Sequence, residues 1–263
     1  MDLRLNGKKA VVLAASGGLG RGIAGVLSAE GCEVAICGRN EEKLQKTADE
    51  IFKQTGQNIF RHKADVADAE SLSSFFKSVK DEFGNIDILI NNAGGPPPGS
   101  SEGFSDSDYM SAFELSLMSV VRSVRHVLPN MKLQSYGRII TLTSTSVKCV
   151  LNNMVLSNTF RSAAAAFTKS ISMEIAGDGI RAHTILTGPF LTDRVTELGA
   201  IAAVKKGVSF DDWKETAERN TPLKRFGDPV EMGNLVAFLC SELSSYMNGT
   251  SIAVDGGILT TVS

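Results

Sequence analysis

The sequence predicts an α/β fold of the doubly wound class, in which helices cover both faces of a parallel sheet. Three observations predict it. Short apolar segments alternate with amphipathic ones along the chain, the first apolar segment leads into a turn of small residues, and a helical pattern follows that turn directly. The first segment, residues 10–13, is short and rich in valine, as a strand buried on both faces should be.

The turn after this strand, residues 14–20, has small side chains at nearly every position. Such a turn lets the backbone approach a pyrophosphate, and the free amides at the start of the next helix attract its charge. Gly20, Gly22 and Gly25 match G-x-G-x-x-G by letter, but they fall inside the predicted helix. The dinucleotide-binding loop is therefore expected at 14–20, although a turn without a ligand has the same pattern.

The rest of the chain repeats the alternation without a linker, which predicts one domain over 1–263. Further strands are predicted at 33–37, 59–63, 86–91, 137–143, 180–186 and 251–254. Further helices are predicted at 41–55, 69–83, 106–131, 158–177 and 229–239. The polar segment 193–221 has helical patches and is expected to be a flap over the site. Ligands should bind at the carboxyl ends of the strands.

Composition excludes several classes of function. The 27 basic and 29 acidic residues give a net charge of −2, which does not favour nucleic acid. Neither a signal peptide nor an apolar run of 18 residues is visible, so we expect a cytoplasmic protein that does not span a membrane. The cysteines form no C-x-x-C pair, and we expect reduced thiols and no metal site. They are Cys32, Cys37, Cys149 and Cys240.

The choice of dinucleotide depends on the end of the second strand. An NAD site has an acidic residue there, which holds the ribose 2′-hydroxyl. Here the position is Gly38, and Arg39 follows it. A guanidinium can pair with a 2′-phosphate through two parallel hydrogen bonds, so NADP(H) is favoured over NAD(H). The alternative is that Arg39 is a solvated turn residue.

Four motifs give the chain a resemblance to a known family. They are Asp-Ile-Leu-Ile-Asn-Asn-Ala-Gly at 87–94, Gly-Arg-Ile-Ile-Thr-Leu-Thr-Ser at 137–144, Pro-Leu-Lys-Arg-Phe-Gly-Asp-Pro at 222–229, and Asn-Gly-Thr-Ser-Ile-Ala-Val-Asp-Gly-Gly at 248–257. In this order they resemble the short-chain dehydrogenase/reductase family, close to its 3-oxoacyl-acyl-carrier-protein reductases. The resemblance implies a Rossmann-type domain with a seven-stranded parallel sheet, which usually forms a homotetramer, with a homodimer as the alternative.

The resemblance also implies a set of cofactor-binding residues. The glycine loop would contribute Ala14, Ser16, Gly18, Leu19 and Gly20, Asp65 and Val66 would border the adenine, Asn92, Ala93 and Gly94 would line the cofactor, and Gly188, Phe190 and Thr192 would pass the nicotinamide. Two departures from the family pattern are visible. Ala14 replaces the first loop glycine, and Thr187-Gly188 replaces the family's Pro-Gly.

The larger departure is in the catalytic residues that the resemblance implies, which are Asn, Ser, Tyr and Lys. The serine matches as Ser144. The tyrosine position, thirteen residues on, holds Ser157, and the lysine position, four further, holds Arg161. The asparagine position holds Ser116. Only one of the four residue types is retained.

These replacements change the chemistry that is available. A phenol has a pKa of about 10, whereas a serine hydroxyl is far less acidic and needs an adjacent base. Arg161 is no base, because a guanidinium keeps its proton. It can bind ribose hydroxyls or a carboxylate substrate, and it can stabilise a developing alkoxide. General acid catalysis is worth roughly 10²–10⁴ in rate, so its loss does not by itself abolish hydride transfer.

Four more residues near these motifs have alternative interpretations. Lys148 and Cys149, in the loop after Ser144, are interpreted as ordinary loop residues rather than substrate contacts. His183 is interpreted as structural. Trp213, in the flap, either caps an apolar substrate or packs a helix.

Two functions from different classes remain. The first is an NADP(H)-dependent oxidoreductase acting on a small carbonyl or alcohol, with its proton supplied through Ser157, water or the substrate. The second is a non-catalytic NADP(H)-binding sensor or assembly subunit. Because Ser144 and the flap remain, the sequence favours the enzyme.

Overall fold

One parallel sheet of seven strands is the centre of residues 2–261, which are the part of the chain that the computed structural model describes. The strands are β1 (Lys9–Val12), β2 (Glu33–Gly38), β3 (Ile59–Lys63), β4 (Ile88–Asn91), β5 (Gly137–Leu142), β6 (Ile180–Thr187) and β7 (Ser251–Val254). Their order is β3-β2-β1-β4-β5-β6-β7, and every neighbouring pair is parallel. The predicted doubly wound α/β fold is confirmed.

Nine α-helices connect these strands within the described residues. They are α1 (Gly18–Ala29), α2 (Glu41–Thr55), α3 (Ala69–Phe83), α4 (Asp106–Phe113), α5 (Ser119–Leu133), α6 (Val155–Glu174), α7 (Asp193–Lys206), α8 (Phe210–Arg219) and α9 (Pro229–Cys240). Within residues 2–261, no helix is both long enough and apolar enough to cross a membrane.

The helices bury two apolar cores, one on each face of the sheet. One core joins α1, α2 and α9 to β1 and β2, with Ile23, Leu44 and Val236 fully buried. The other joins α3, α5 and α6 to β4 and β5, with Phe75 and Ile139 fully buried. Alternate strand residues enter opposite cores, so each central strand is apolar on both faces, as its sequence predicts.

The strand order reverses next to β1. The chain adds β2 and β3 on one side of β1 and then returns to place β4 on the other side. This reversal leaves a crevice at the carboxyl ends of β1 and β4, which is where doubly wound sheets bind their ligands. The loops that follow these two strands begin at Leu13 and Asn92.

The long helix predicted at 106–131 is wrong in one respect. A π-helical turn, Glu114–Met118, separates α4 from α5. Helical periodicity continues through the turn, because one extra residue changes the spacing too little to be visible in the sequence. Glu114 at its start pairs with Arg122 in α5, with 2.5 Å between carboxylate and guanidinium.

Other boundaries differ by one to three residues. Helix α6 begins at Val155 rather than 158 and ends at Glu174 rather than 177, because a 3₁₀ turn (Ala176–Asp178) follows it. Strand β4 begins at Ile88 rather than 86, because the Asp87 carboxylate before it accepts a hydrogen bond from the Lys9 amide at 2.9 Å. Strands β1 and β5 each end one residue before the predicted end, whereas β6 extends one residue beyond it.

The segment expected to be a flap is a helical hairpin of α7 and α8. Gly207 ends α7 with φ 68°, a left-handed conformation that suits glycine. Gly199 in α7 has no side chain, and the Trp213 ring of α8 lies against its backbone. Trp213 also stacks on Phe210 and Phe226, with ring centroids 5.8 Å and 6.4 Å away. Of the two alternatives for Trp213, the structure shows helix packing.

Candidate functional site

The glycine loop after β1 joins the strand to α1 in a tight turn. Ala14 has φ 47°, in the left-handed region, and the Ala15 amide donates to the Cys37 carbonyl at 2.8 Å. Helix α1 starts at Gly18, and no side chain among the described residues caps its start. The first amides of α1 are therefore free to bind an anion such as a pyrophosphate.

Close packing explains why Gly20 in this loop has no side chain. A Cβ on Gly20 would lie 2.7 Å from the Ala15 Cα and 2.9 Å from the Asn92 amide nitrogen. That amide donates to the carbonyls of Leu13 and Ala14 at 3.0 Å and 3.2 Å, so the loop after β4 holds the loop after β1 in place. Leu19 packs on the core beneath α1.

The end of β2 carries the residues on which the predicted choice of dinucleotide depends. A Cβ on Gly38 would lie 2.9 Å from the Ser16 hydroxyl oxygen, so an acidic side chain at 38 would displace Ser16. Arg39 next to it is exposed, and no carboxylate among residues 2–261 lies within 4 Å of its guanidinium. An unpaired guanidinium at this edge fits a 2′-phosphate.

The expected adenine side follows β3. Val66 is buried, and the Asp65 carboxylate accepts a hydrogen bond from the Ala67 amide at 3.0 Å. The Asp65 amide donates to the Ser71 hydroxyl at 3.0 Å. These bonds fold the chain into a turn whose Val66 side chain packs in the core.

Ser144 and Arg161 are brought together at the carboxyl end of β5. Ser144 begins a 3₁₀ turn, and its hydroxyl oxygen accepts a hydrogen bond from the Ser146 amide at 3.1 Å. Arg161 reaches from α6 to the same strand end, where Nη1 donates to the Leu142 carbonyl at 3.0 Å. Its Nη2 donates to the carbonyls of Ala93 and Gly94, each at 3.2 Å. Arg161 thereby bridges the loops after β4 and β5.

Burial, and then the charge of Arg194, lower the pKa of Arg161 from its ordinary value to about 10. The guanidinium still keeps its proton at pH 7. A cation is therefore held at the corner of the crevice where the family resemblance implies an ammonium.

Ser157 and Ser116 approach this corner from two helices. Ser157 lies in the first turn of α6, one turn before Arg161, and is buried. Ser116 lies in the π-helical turn, which packs against α6. Its buried hydroxyl has no hydrogen-bond partner within residues 2–261. An unpaired buried hydroxyl at this position is ready to bind a water or a ligand.

The segment after β6 lies against the glycine loop, and α7 begins there. The Gly188 amide donates to the Val254 carbonyl at 2.9 Å, and Phe190 is buried. Thr192 caps α7, and its methyl lies 3.4 Å from the position of a Cβ on Gly18. The Asp193 carboxylate lies 3.2 Å from the corresponding position on Gly17. The start of α7 therefore lies directly above the start of α1.

Two of the remaining candidates are at the surface and one is in the core. Lys148 and Cys149 are exposed. His183 is fully buried in β6, and its Nδ1 lies 2.7 Å from the Thr250 hydroxyl, which is a structural contact. Arg194 was not among the predicted site residues, yet its Nη2 donates to the Pro96 carbonyl at 3.5 Å. Its place two residues after the Thr192 cap of α7 was the available signal.

The fold and this site together define a class, the Rossmann-type dinucleotide-binding proteins. A family model described as Enoyl-(Acyl carrier protein) reductase matches residues 13–259. With this match over most of its length, the chain belongs to the short-chain dehydrogenase/reductase family of oxidoreductases.

Individual relatives cover the whole length of the chain. The 3-oxoacyl-acyl-carrier-protein reductase FabG of Aquifex aeolicus is 30% identical over 258 residues, which are 98% of this chain and 100% of that protein. The 7α-hydroxysteroid dehydrogenase of Escherichia coli (strain K12) is 29% identical over 256 residues, covering 97% and 96%. The structure of L-sorbose reductase from Gluconobacter frateurii, complexed with NADPH and L-sorbose, superposes with a TM-score of 0.95 at 30% identity and covers 100% of both chains.

Proposed function

We propose that the protein is an NADP(H)-dependent oxidoreductase that transfers a hydride to or from a small carbonyl or alcohol substrate. The observation that carries this proposal is that Arg161 joins the end of β5, which leads to Ser144, to the loop after β4, whose Asn92 holds the glycine loop. When bound, the reduced nicotinamide would supply the hydride.

Ser144 would hold the substrate oxygen. Its hydroxyl oxygen is occupied by the Ser146 amide, and its hydrogen has no acceptor within residues 2–261. The hydroxyl is therefore poised to donate to a carbonyl oxygen. Arg161 would stabilise negative charge that develops on that oxygen, because a fixed cation in a water-poor corner acts strongly there. The proton would come through Ser157, water or the substrate itself.

The preference for NADP(H) is supported by the unpaired guanidinium of Arg39 and by the absence of an acidic side chain at Gly38. The L-sorbose reductase relative is complexed with NADPH, which agrees with this preference. A 7α-hydroxysteroid dehydrogenase structure complexed with NADH shows that relatives of this fold take either cofactor.

A second function, a non-catalytic NADP(H)-binding sensor or assembly subunit, is favoured by the positions of the three tyrosines. Tyr136 donates to the Cys240 carbonyl at 3.2 Å, at the amino end of β5. Tyr109 packs against the Phe160 ring, and Tyr246 is fully exposed. None of these phenols forms a hydrogen bond with Ser144 within residues 2–261, which supports a site without the family's general acid.

One experiment separates the two functions. NADPH binding is titrated by its fluorescence, and its oxidation is then followed by absorbance with a panel of ketones and aldehydes. The enzyme proposal predicts oxidation that Ser144→Ala lowers by about 10-fold or more while the Kd for NADPH stays unchanged, because the serine contacts only the substrate. Binding without oxidation of any panel member would support the sensor.

A further inference from the structure

Two guanidiniums hold one short stretch of backbone at the mouth of the crevice. Arg161 donates to the carbonyls of Ala93 and Gly94 from below. Arg194 donates to the Pro96 carbonyl from the first turn of α7, and its guanidinium lies 3.8 Å from the position of a Cβ on Gly95. Two positive charges thus lie along four consecutive residues.

Neither charge is balanced by the protein. Within residues 2–261, no carboxylate oxygen lies within 4 Å of either guanidinium. The Asp193 carboxylate, next to Arg194 in sequence, lies over Gly17 instead. Like charges this close raise the free energy of the site unless an anion joins them.

Both side chains keep donors for such an anion. Arg161 has five N–H groups, of which three are taken by carbonyls, so Nε and the second Nη1 hydrogen remain. Arg194 is exposed and makes one long bond at 3.5 Å, so its guanidinium can turn toward a ligand at little cost. Ser144 lies two residues beyond the Leu142 carbonyl that holds Arg161. The carboxyl end of β5 therefore leads to the hydroxyl that would hold a reacting carbonyl and is itself bound by one of the two guanidiniums.

We propose that the substrate is a carbonyl compound that bears a carboxylate, with Arg194 and Arg161 binding the carboxylate while Ser144 binds the carbonyl oxygen. This inference rests on the proposed oxidoreductase function and gives it a substrate class, the oxo acids. The two parallel N–H groups of a guanidinium pair well with a planar carboxylate. This pairing binds the substrate and also orients the carbonyl next to the carboxylate.

The pyrophosphate of the cofactor is the competing anion, because α7 begins directly above the start of α1. The two sources differ in what they predict for Arg194. A pyrophosphate contact would weaken NADPH binding when Arg194 is replaced. A carboxylate contact would weaken the oxo acid alone.

The test compares 2-oxo and 3-oxo acids with their methyl esters, from pyruvate and acetoacetate to phenylpyruvate, using the full chain loaded with NADPH. We expect kcat/KM for the best acid to exceed that of its ester by about 10-fold or more. Arg194→Gln should lower kcat/KM for the acid by about 10–100-fold through a raised KM, since bonds between charged groups have this value. It should leave the ester and the Kd for NADPH unchanged, and Arg194→Lys should lose less.

The control is Arg219→Gln, which removes an equally cationic side chain of the flap that pairs with Glu215 on the exposed face of α8. It should leave the ratio of acid to ester unchanged. Calorimetric titration of oxamate into the protein–NADPH complex is the second readout, and its binding should depend on Arg194 even if turnover is absent.

The outcomes are distinct. Equal rates for acids and esters would overturn this inference and leave the oxidoreductase standing, and so would an equal loss of NADPH affinity in Arg194→Gln. Arg194-dependent binding of oxamate without oxidation of NADPH would support the carboxylate site and count against the enzyme. Absence of both acid turnover and oxamate binding would overturn the carboxylate site.

Discussion

Ala14 holds a left-handed backbone conformation, with φ 47°, at the turn where the family resemblance implies a glycine. A Cβ in this region costs roughly 1–2 kcal/mol because it approaches the following carbonyl oxygen. The Asn92 amide, which donates to the Ala14 carbonyl at 3.2 Å, helps to hold the residue there. The loop therefore keeps its shape at the expense of local strain.

Replacing Ala14 with glycine should relieve this strain. We expect Ala14→Gly to raise the free energy of unfolding by about 0.5–1 kcal/mol. This value is the strain that is relieved, minus the larger conformational entropy that glycine loses on folding. Urea denaturation at constant m-value measures it. Ala15→Gly is the matched control, because Ala15 is fully buried without a positive φ and its replacement should destabilise. A loss of stability in both variants would contradict the strain at Ala14.

Arg39 is the residue on which cofactor choice is proposed to depend. We expect Arg39→Gln to weaken NADPH binding by about 10–100-fold and to leave NADH binding unchanged, because only NADPH has the 2′-phosphate. Fluorescence titration with both cofactors measures the ratio. Arg21→Gln is the control, since Arg21 of α1 pairs with Glu50 of α2 at 3.1 Å. An unchanged ratio in Arg39→Gln would refute the role given to Arg39.

Contacts between helices, and between helices and loops, fix the positions of the elements around the crevice. The π-helical turn places Ser116 against α6, and Arg161 of α6 binds the loops after β4 and β5. Neither arrangement is visible in helical periodicity, because each depends on which helices pack together. The packing of α7 on α8 is not visible in helical periodicity either. Gly199 of α7 has no side chain, and this leaves room for the Trp213 ring of α8.

The packing of Gly199 against Trp213 can be tested directly, because this ring is the only tryptophan of the chain. Gly199→Ala adds a Cβ in the space that the ring occupies, so we expect the ring to move toward solvent. Intrinsic fluorescence should then shift to longer wavelength, and the melting temperature should fall by a few degrees, as overpacking costs about 1–3 kcal/mol. Ala200→Ser, at an exposed position of α7, should change neither. An unshifted emission from Gly199→Ala would count against the packed hairpin.

At the scale of the whole molecule, two ionisable side chains are buried in neighbouring strands of the sheet. Arg138 in β5 is buried and donates to the carbonyls of Gly137 and Gly179 at 2.9 Å and 3.3 Å. His183 in the neighbouring β6 is also buried. Burial, with the charges of Arg138 and Arg181, lowers the pKa of His183 from 6.5 to about 4. The folded chain therefore keeps this imidazole neutral where an unfolded chain would protonate it.

This difference makes stability depend on pH. Below about pH 6.5 the His183 imidazole is protonated in the unfolded state, whereas in the folded state it stays neutral down to about pH 4. We therefore expect stability to be greatest above pH 6.5 and to fall by roughly 2 kcal/mol by pH 5, at about 1.4 kcal/mol per pH unit. Urea denaturation at pH 7.5 and pH 5 measures the loss. His183→Asn should reduce it, and an equal loss in that variant would assign the effect to other groups.

The sequence by itself determined the doubly wound class, the seven strands within one or two residues at each end, and the place of the glycine loop. It could do so because strand and helix periodicity and small-residue turns are local properties of the chain. Through the family resemblance, motif order assigned Ser144, Ser157 and Arg161 to the candidate site. Only the tertiary structure decided that Arg161 binds three carbonyls, that Arg194 joins it at the same stretch of backbone, and that Trp213 packs Gly199. These contacts join residues that are far apart in the sequence, or they depend on the direction of a side chain. Such groups come within contact distance only when the sheet and its helices have folded.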